Sequence, residues 1–273
     1  MYRKIWKECH RSVCLLNFYS STGTKIISMT GFKTRNNFLI TDEYIHKIKN
    51  SDKVEIKFMK EDGYSEYASK KLKIEELKQR IITNTDENTA FAAININFPE
   101  FESIPSLKLS SCKKIEIGQP IASVGYQINQ ENLGIKTGIV SSLFKHNNRN
   151  NYIQFDSSIK QGNSGSPLIN AETGEVIGVI GHKLAAITKS YKRMNKIIDN
   201  NLSILKKSQG KFNVHEIDPI QVLIANQNQI KYITNEIYKT ANMRVGFALE
   251  IQHIVDLFNE LQDVSDSRFV TEP

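Results

Sequence analysis

Cysteine is scarce in this chain, with only Cys9, Cys14 and Cys112 among 273 residues. Three scattered thiols are too few for a disulfide framework or a cysteine-based metal site, and they point to a reducing compartment. A leader core is also lacking. The opening MYRKIWKECHRSV is charged throughout, whereas a secretory signal needs roughly 7–15 apolar residues in a row. No apolar run approaches the roughly 20 residues that cross a bilayer. Ligand spacing is absent as well: His10, His146, His215 and His253 stand without a Cys or carboxylate at metal-binding distance in the sequence. We therefore expect a cytoplasmic protein with no membrane association, no metal and no organic cofactor.

What is present is ordinary globular composition, 40% hydrophobic and 24% charged, which suits one large domain or two small ones sharing a core. The net charge of +7 and a pI of about 9.1 raise the question of nucleic acid. Lysine is spread along the whole chain among acidic residues, with no arginine-rich arm and no aromatic RNA-binding signature. Nucleic-acid binding is therefore the weakest of the functions considered.

The first two-thirds consist of short strand-like runs. SVCLLNF (12–18), KIISMTGF (25–32), NFLITDEYI (37–45), KVEIKFM (53–59) and FAAININF (91–98) mix the β-branched and aromatic residues that suit a pleated, half-buried surface. Asp62-Gly63 is a hairpin turn signal between two of them. IASVGYQ (121–127), KTGIVSSLF (136–144), NYIQFDSS (151–158) and PLINAETGEVIGVIG (167–181) form a second series. Many short strands with glycine-marked turns favour packed barrels or a sandwich. KKLKIEELKQRII (70–82) breaks the rhythm and reads as a short helix or a decorated strand pair.

The period then changes. Leu184, Ile187, Tyr191, Met194, Ile198 and Leu205 recur at steps of three and four, with Asn201 as the polar member; Leu223, Ile230, Ile233 and Ile237 continue the rhythm around Asn226. This predicts two helices paired as an antiparallel hairpin, the second opened by Asp218 as cap and Pro219 in its first turn. Asn201 and Asn226 are placed to meet across it. MRVGFALEI (243–251) returns to strand character and QHIVDLFNELQ (252–262) predicts a closing amphipathic helix.

Taken in order, SLKLSSCKKIEIGQPIASVGYQ, GIKTGIVSSL, IQFDSSIKQGNSGSPLIN, GEVIGVIG and VGFALEIQHIV resemble the second barrel of trypsin-fold serine proteases, closest to the bacterial HtrA-type branch. The resemblance implies a mainly β fold of two antiparallel six-stranded β-barrels. A helical hairpin is inserted in the second barrel and a helix ends the chain. The expected divisions are an N-terminal segment 1–11, a first barrel 12–105, a second barrel 106–183 plus 244–251, the insert 184–243, and a C-terminal helix and tail 252–273. By the same resemblance Ser164 takes the nucleophile position, the backbone around Gly162, Asn163 and Ser164 forms an oxyanion hole, and Ser158 lies at the base of the primary specificity pocket. Ser166 stands where the family usually has glycine.

The first barrel departs from the family. Aligning Ile40-Thr41 of NFLITDEYI with the family pattern puts Tyr44 at the histidine position, and AFAAI puts Ala90 at the aspartate position. A serine hydroxyl is a poor nucleophile without a base, and a phenol is a weak base at neutral pH. His46 and His182 are alternative bases, and Asp86 or Glu87 an alternative carboxylate. The expectation is a pseudoprotease that binds protein partners, or associates with itself, through 184–243. The alternative is a serine endopeptidase acting on peptide or protein substrates with a non-standard or partner-supplied base.

Overall fold

The β-branched and aromatic runs assemble into two antiparallel β units that share one apolar core. The computed structural model describes every residue except 84–89, 112–113, 128–129, 147–149, 160–161, 182–184, 212–217, 242–244 and 270–273. Helix α1 (Tyr2–Cys9) precedes β1 (Val13–Tyr19), β2 (Lys25–Thr34), β3 (Phe38–Asp42), β4 (Lys53–Met59), β5 (Glu66–Lys73), α2 (Ile74–Arg80) and β6 (Phe91–Asn95). The second unit holds β7 (Pro120–Gln127), β8 (Gln130–His146), β9 (Asn150–Asp156), β10 (Pro167–Asn170) and β11 (Val176–Ile180). Helices α3 (Ala185–Ser208) and α4 (Pro219–Ala241) then intervene before β12 (Val245–Glu250) and α5 (Gln252–Phe269).

The second unit closes as a barrel in the order β10-β11-β12-β9-β8-β7, while the first is a six-stranded sheet, β5-β4-β1-β2-β3-β6. The difference from two closed barrels lies in KKLKIEELKQRII. Its first residues finish β5, and the rest turn into α2, which buries Ile74 and Leu77 and carries Glu75 and Glu76 in its first turn, where the helix dipole favours them. After α2 the chain meets β6 through one bridge, Ile81 to Ile94, in place of a ladder. Asp62-Gly63 makes the expected turn: Gly63 takes φ 78° and Asp62 Oδ1 accepts the Tyr64 and Ser65 N–H groups at 3.0 and 2.8 Å.

Val13, Leu15, Phe32 and Ile40 of the sheet share a core with Val124, Tyr126, Ile169, Val179 and Leu249 of the barrel. Each such side chain contributes about 1.5–3 kcal/mol on burial, so the two β units are held face to face around the loop discussed below. The charged N-terminal segment is an amphipathic helix that buries Ile5 and Cys9 in this core. Among the described residues no helix is long and apolar enough to cross a membrane.

Lys183–Met243 form a compact unit of their own. Asp218 caps α4 as predicted, its Oδ1 accepting from Ile220 N and its Oδ2 from Gly210 N, both at 2.8 Å. The helices are antiparallel, but their seam differs from the expected apolar stripe. Tyr191 Oη donates to Asn235 Oδ1 (2.6 Å), Lys231 Nζ to Asp199 Oδ1 (2.6 Å) and Asn201 Nδ2 to Gln227 Oε1 (3.5 Å). Tyr191, Ile198 and Leu205 do turn inward, joined by Asn195 and Leu202. Met194, Asn201, Leu223, Asn226, Ile230, Ile233 and Ile237 are exposed, so Asn201 meets Gln227 and not Asn226. On α4 the seam residues Ile224, Gln227, Lys231 and Thr234 each follow a stripe residue by one position, a rotation of about 100°. Leu184 lies outside the described residues, as does the side chain of Ile187.

Candidate active site

The segment GNSGSP joins the loop after β9 to β10, and its backbone is set by two glycines in the left-handed region, Gly162 at φ 98° and Gly165 at φ 87°. Gly165 has a second reason to lack a side chain: a Cβ there would run into the Thr30 carbonyl and the Thr41 hydroxyl. The barrel holds the loop through Gly165 N–H to Ile180 O (2.7 Å) and Ile180 N–H to Ser166 O (2.9 Å). The sheet holds it through Thr30, whose N–H donates to Ser164 O at 3.0 Å. Thr30 Oγ1 donates to Gly162 O at 2.7 Å and accepts from Tyr126 N–H at 3.1 Å. Thr41 Oγ1 in turn donates to Thr30 O at 2.7 Å. Buried backbone groups need partners, and here one threonine supplies three of them.

Lys136 of β8 adds a charged brace. Its Nζ donates to Ser158 O at 2.5 Å and to Asn163 Oδ1 at 2.8 Å, and Asn163 Nδ2 donates to Tyr126 O at 2.7 Å. The ammonium thus ties the two ends of the 158–163 segment together with hydrogen bonds of the stronger, charge-assisted kind. Ser166 is fully buried, and a Cβ on Gly125 would collide with its Oγ. The serine that replaces the family's usual glycine at 166 is therefore accommodated by a glycine at 125.

The sequence-derived site residues are distributed unevenly. Gly162, Asn163, Ser164 and Ser158 are gathered in one braced loop. Ser164 is half-buried, and its carbonyl is held as described while its hydroxyl has no hydrogen-bonded side chain among the described residues. The N–H groups of Gly162 and Ser164 are likewise unengaged among the described residues. Tyr44 sits on the 3₁₀ turn Glu43–Lys47, half-buried against the sheet's own core. Ala90 packs beside the shared core. His46 has its Nε2 buried without a hydrogen-bond partner, and burial pushes its imidazole below the usual value of 6.5. That nitrogen is not engaged with Ser164. His182, Asp86 and Glu87 lie outside the described residues.

Three residues went unrecognised in the sequence. Thr30 and Lys136 hold the loop from opposite sides, and Asp42 is a carboxylate only 1% exposed. Asp42 Oδ1 accepts the Tyr44 N–H at 2.8 Å, and its Oδ2 lies 3.4 Å from where a Cβ on Gly181 would be. A lysine within a strand of small and apolar residues, GIKTGIV, was the available signal for the brace. Thr30 in SMTGF carried none beyond strand propensity.

A family model described as trypsin-like peptidase domain matches residues 30–179, more than half of the chain. Serine protease HTRA1A of Danio rerio is 32% identical over 176 residues, covering 62% of this chain and 33% of that protein. A probable periplasmic serine endoprotease DegP-like of Hahella chejuensis is 26% identical over 215 residues, covering 77% of this chain and 36% of its own length. The chain thus spans about a third of the length of these curated relatives. Among solved structures, the HtrA-type protease AlgW with a tripeptide superposes with a TM-score of 0.52 at 17% identity, covering 66% of this chain and 54% of that one. The family match and the shared fold agree with the loop and barrel geometry, and the chain, similar to HtrA-type relatives, belongs to the trypsin-like peptidase family.

Proposed function

We propose that this chain is a pseudoprotease: a trypsin-fold module that binds polypeptide in its cleft and carries the α3–α4 insert as an association surface for a protein partner or a second copy. The observation that carries this reading is the Ser164 hydroxyl with no base hydrogen-bonded to it among the described residues, where the family pattern puts Tyr44 and Ala90 at the histidine and aspartate positions. Without a base the hydroxyl keeps its proton, and an oxyanion hole with binding alone supplies roughly 10³–10⁴-fold over water. That is far short of an efficient endopeptidase. A reducing compartment is part of the same reading: Cys9 and Cys14 are free, and burial pushes both thiols up, Cys9 to about 12.

The test is reaction with a fluorophosphonate. We expect labelling of Ser164 far slower than that of an active serine protease, and peptide binding that survives Ser164→Ala. Rapid labelling abolished by Ser164→Ala would overturn the reading.

The second reading is an endopeptidase using Ser164 with a non-standard or partner-supplied base. It is favoured by the preserved loop, whose Gly162 and Ser164 amides are unengaged among the described residues. Turnover of a peptide library on adding a partner, or turnover lost on His46→Ala or His182→Ala, would establish it. Nucleic-acid binding through basic surface remains the weakest proposal, and binding that did not weaken with salt would eliminate its electrostatic form.

A further inference from the structure

The insert displays apolar side chains on both helices. A row on α3 holds Met194, Ile197 and Ile204 and a row on α4 holds Leu223, Ile230, Ile233 and Ile237, all between 42% and 64% exposed; Val222 and Tyr232 of α4 are exposed outside the row. Each row precedes the residues of the α3–α4 seam by one position, which rotates it about 100° from the seam. The pairs Tyr191–Asn235, Asp199–Lys231 and Asn201–Gln227 establish that the helices are antiparallel. For antiparallel helices, rotations of the same sense bring the two rows to the same side. The hairpin therefore has one broad apolar face, flanked by its own polar seam.

We propose that this face pairs with the same face of a second copy of the chain, forming a four-helix bundle about a two-fold axis. The proposal rests on the reading of the insert as an association surface and names its occupant. A two-fold contact requires a patch complementary to itself, and this one meets the requirement by charge. Positions 194, 197, 201 and 204 of α3 and 223, 226, 230, 233 and 237 of α4 hold no ionisable residue, in a chain of net charge +7. Two copies can approach there without like-charge contact, while a charged partner would find no counter-charge in the rows. The size also fits. Helices of 24 and 23 residues are about 35 Å long, and two side by side offer roughly 700 Å² in all, near the roughly 800 Å² per partner of a standard interface. The apolar rows occupy about 15 Å of α3 and about 21 Å of α4 at the centre of that area. Asn201 and Asn226 lie at one level of the hairpin, Asn201 bonding to Gln227 beside Asn226. Stacking these polar layers sets the register of the bundle, as a buried Asn does in coiled coils.

The test is the mass of the purified full chain by sedimentation equilibrium. We expect twice the 31.1 kDa of one chain, falling to a single chain in the Ile197→Glu/Ile230→Glu variant with its helical circular dichroism unchanged. Ser203→Glu, exposed but outside the rows, leaves the dimer intact. If the charged variant fails to fold, Ile197→Gln/Ile230→Gln replaces it and weakens dimerisation at least tenfold. A monomeric wild-type chain, a dimer indifferent to these row substitutions, or one dissociated equally by Ser203→Glu overturns the proposal. None of these outcomes depends on Ser164, so self-pairing and the fluorophosphonate test of the cleft fail separately.

Discussion

On the barrel side of Ser164, the loop is fixed by left-handed glycines at 162 and 165 and by the Lys136 brace, with the Gly162 and Ser164 amides unengaged among the described residues. The sheet side supplies support of a different kind. Thr30 and Thr41 hold the loop by hydrogen bonds, while the family resemblance puts a phenol, Tyr44, and a methyl group, Ala90, at the proton-relay positions. The sheet acts here as a mechanical partner of the loop through the hydroxyls of Thr30 and Thr41. Such ties and the packing around them can hold a loop without a proton relay, whereas proton transfer depends on single functional groups placed within hydrogen-bond reach.

The largest effect should come from returning chemistry to the sheet. Tyr44→His combined with Ala90→Asp places a base and its orienting acid at the aligned positions, and a positioned general base contributes roughly 10²–10⁴-fold. We expect fluorophosphonate labelling of Ser164 to accelerate on the order of 10²-fold; no acceleration would mean that the sheet's backbone has also drifted from the family geometry. The next effect is structural. Gly165→Ala forces a Cβ against Thr30 and Thr41 at positive φ and should destabilise the fold by roughly 3 kcal/mol, read as a lower urea midpoint. Thr30→Val should cost about 2 kcal/mol, since it leaves the Gly162 carbonyl and the Tyr126 N–H without their partner; Thr30→Ser should restore most of the loss.

The smallest effect is a pH dependence. His46 is depressed in the folded state by burial, so the unfolded chain binds its proton first as pH falls. Above its unfolded value of about 6.5 both states are neutral and the group is silent. Below it the unfolded state gains the proton, and stability declines until the folded value is passed. Urea midpoints should therefore fall between pH 7 and pH 5, and His46→Leu should flatten that slope. An unchanged slope would place the dependence elsewhere.

The strands were legible because β-branched and aromatic runs end at glycine and polar turns. KVEIKFM coincides with β4 (Lys53–Met59), and KIISMTGF lies within β2 (Lys25–Thr34). NFLITDEYI overran, because Asp42 accepts the Tyr44 N–H and turns the chain into a 3₁₀ segment. At the site, Ser164 and its glycines were legible through the resemblance carried by QGNSGSPLIN and its neighbouring segments. Thr30 and Lys136 were not, since their roles arise from residues as far as 132 positions away, and Asp42 was absorbed into the strand run that it ends. The insert shows the same limit: its heptad spacing forecast both helices, but not which face they would turn to each other.

Local physics thus determined, from the sequence alone, most elements and their turns, because propensity and periodicity act within a few residues, while the GNSGSP loop was legible through its family resemblance. Tertiary structure alone decided the open first sheet, the threonine and lysine ties that hold Ser164 in place, and the mixed polar and apolar seam that leaves the apolar face of the hairpin exposed. Those outcomes depend on groups distant in sequence competing for the same hydrogen bonds and the same buried space.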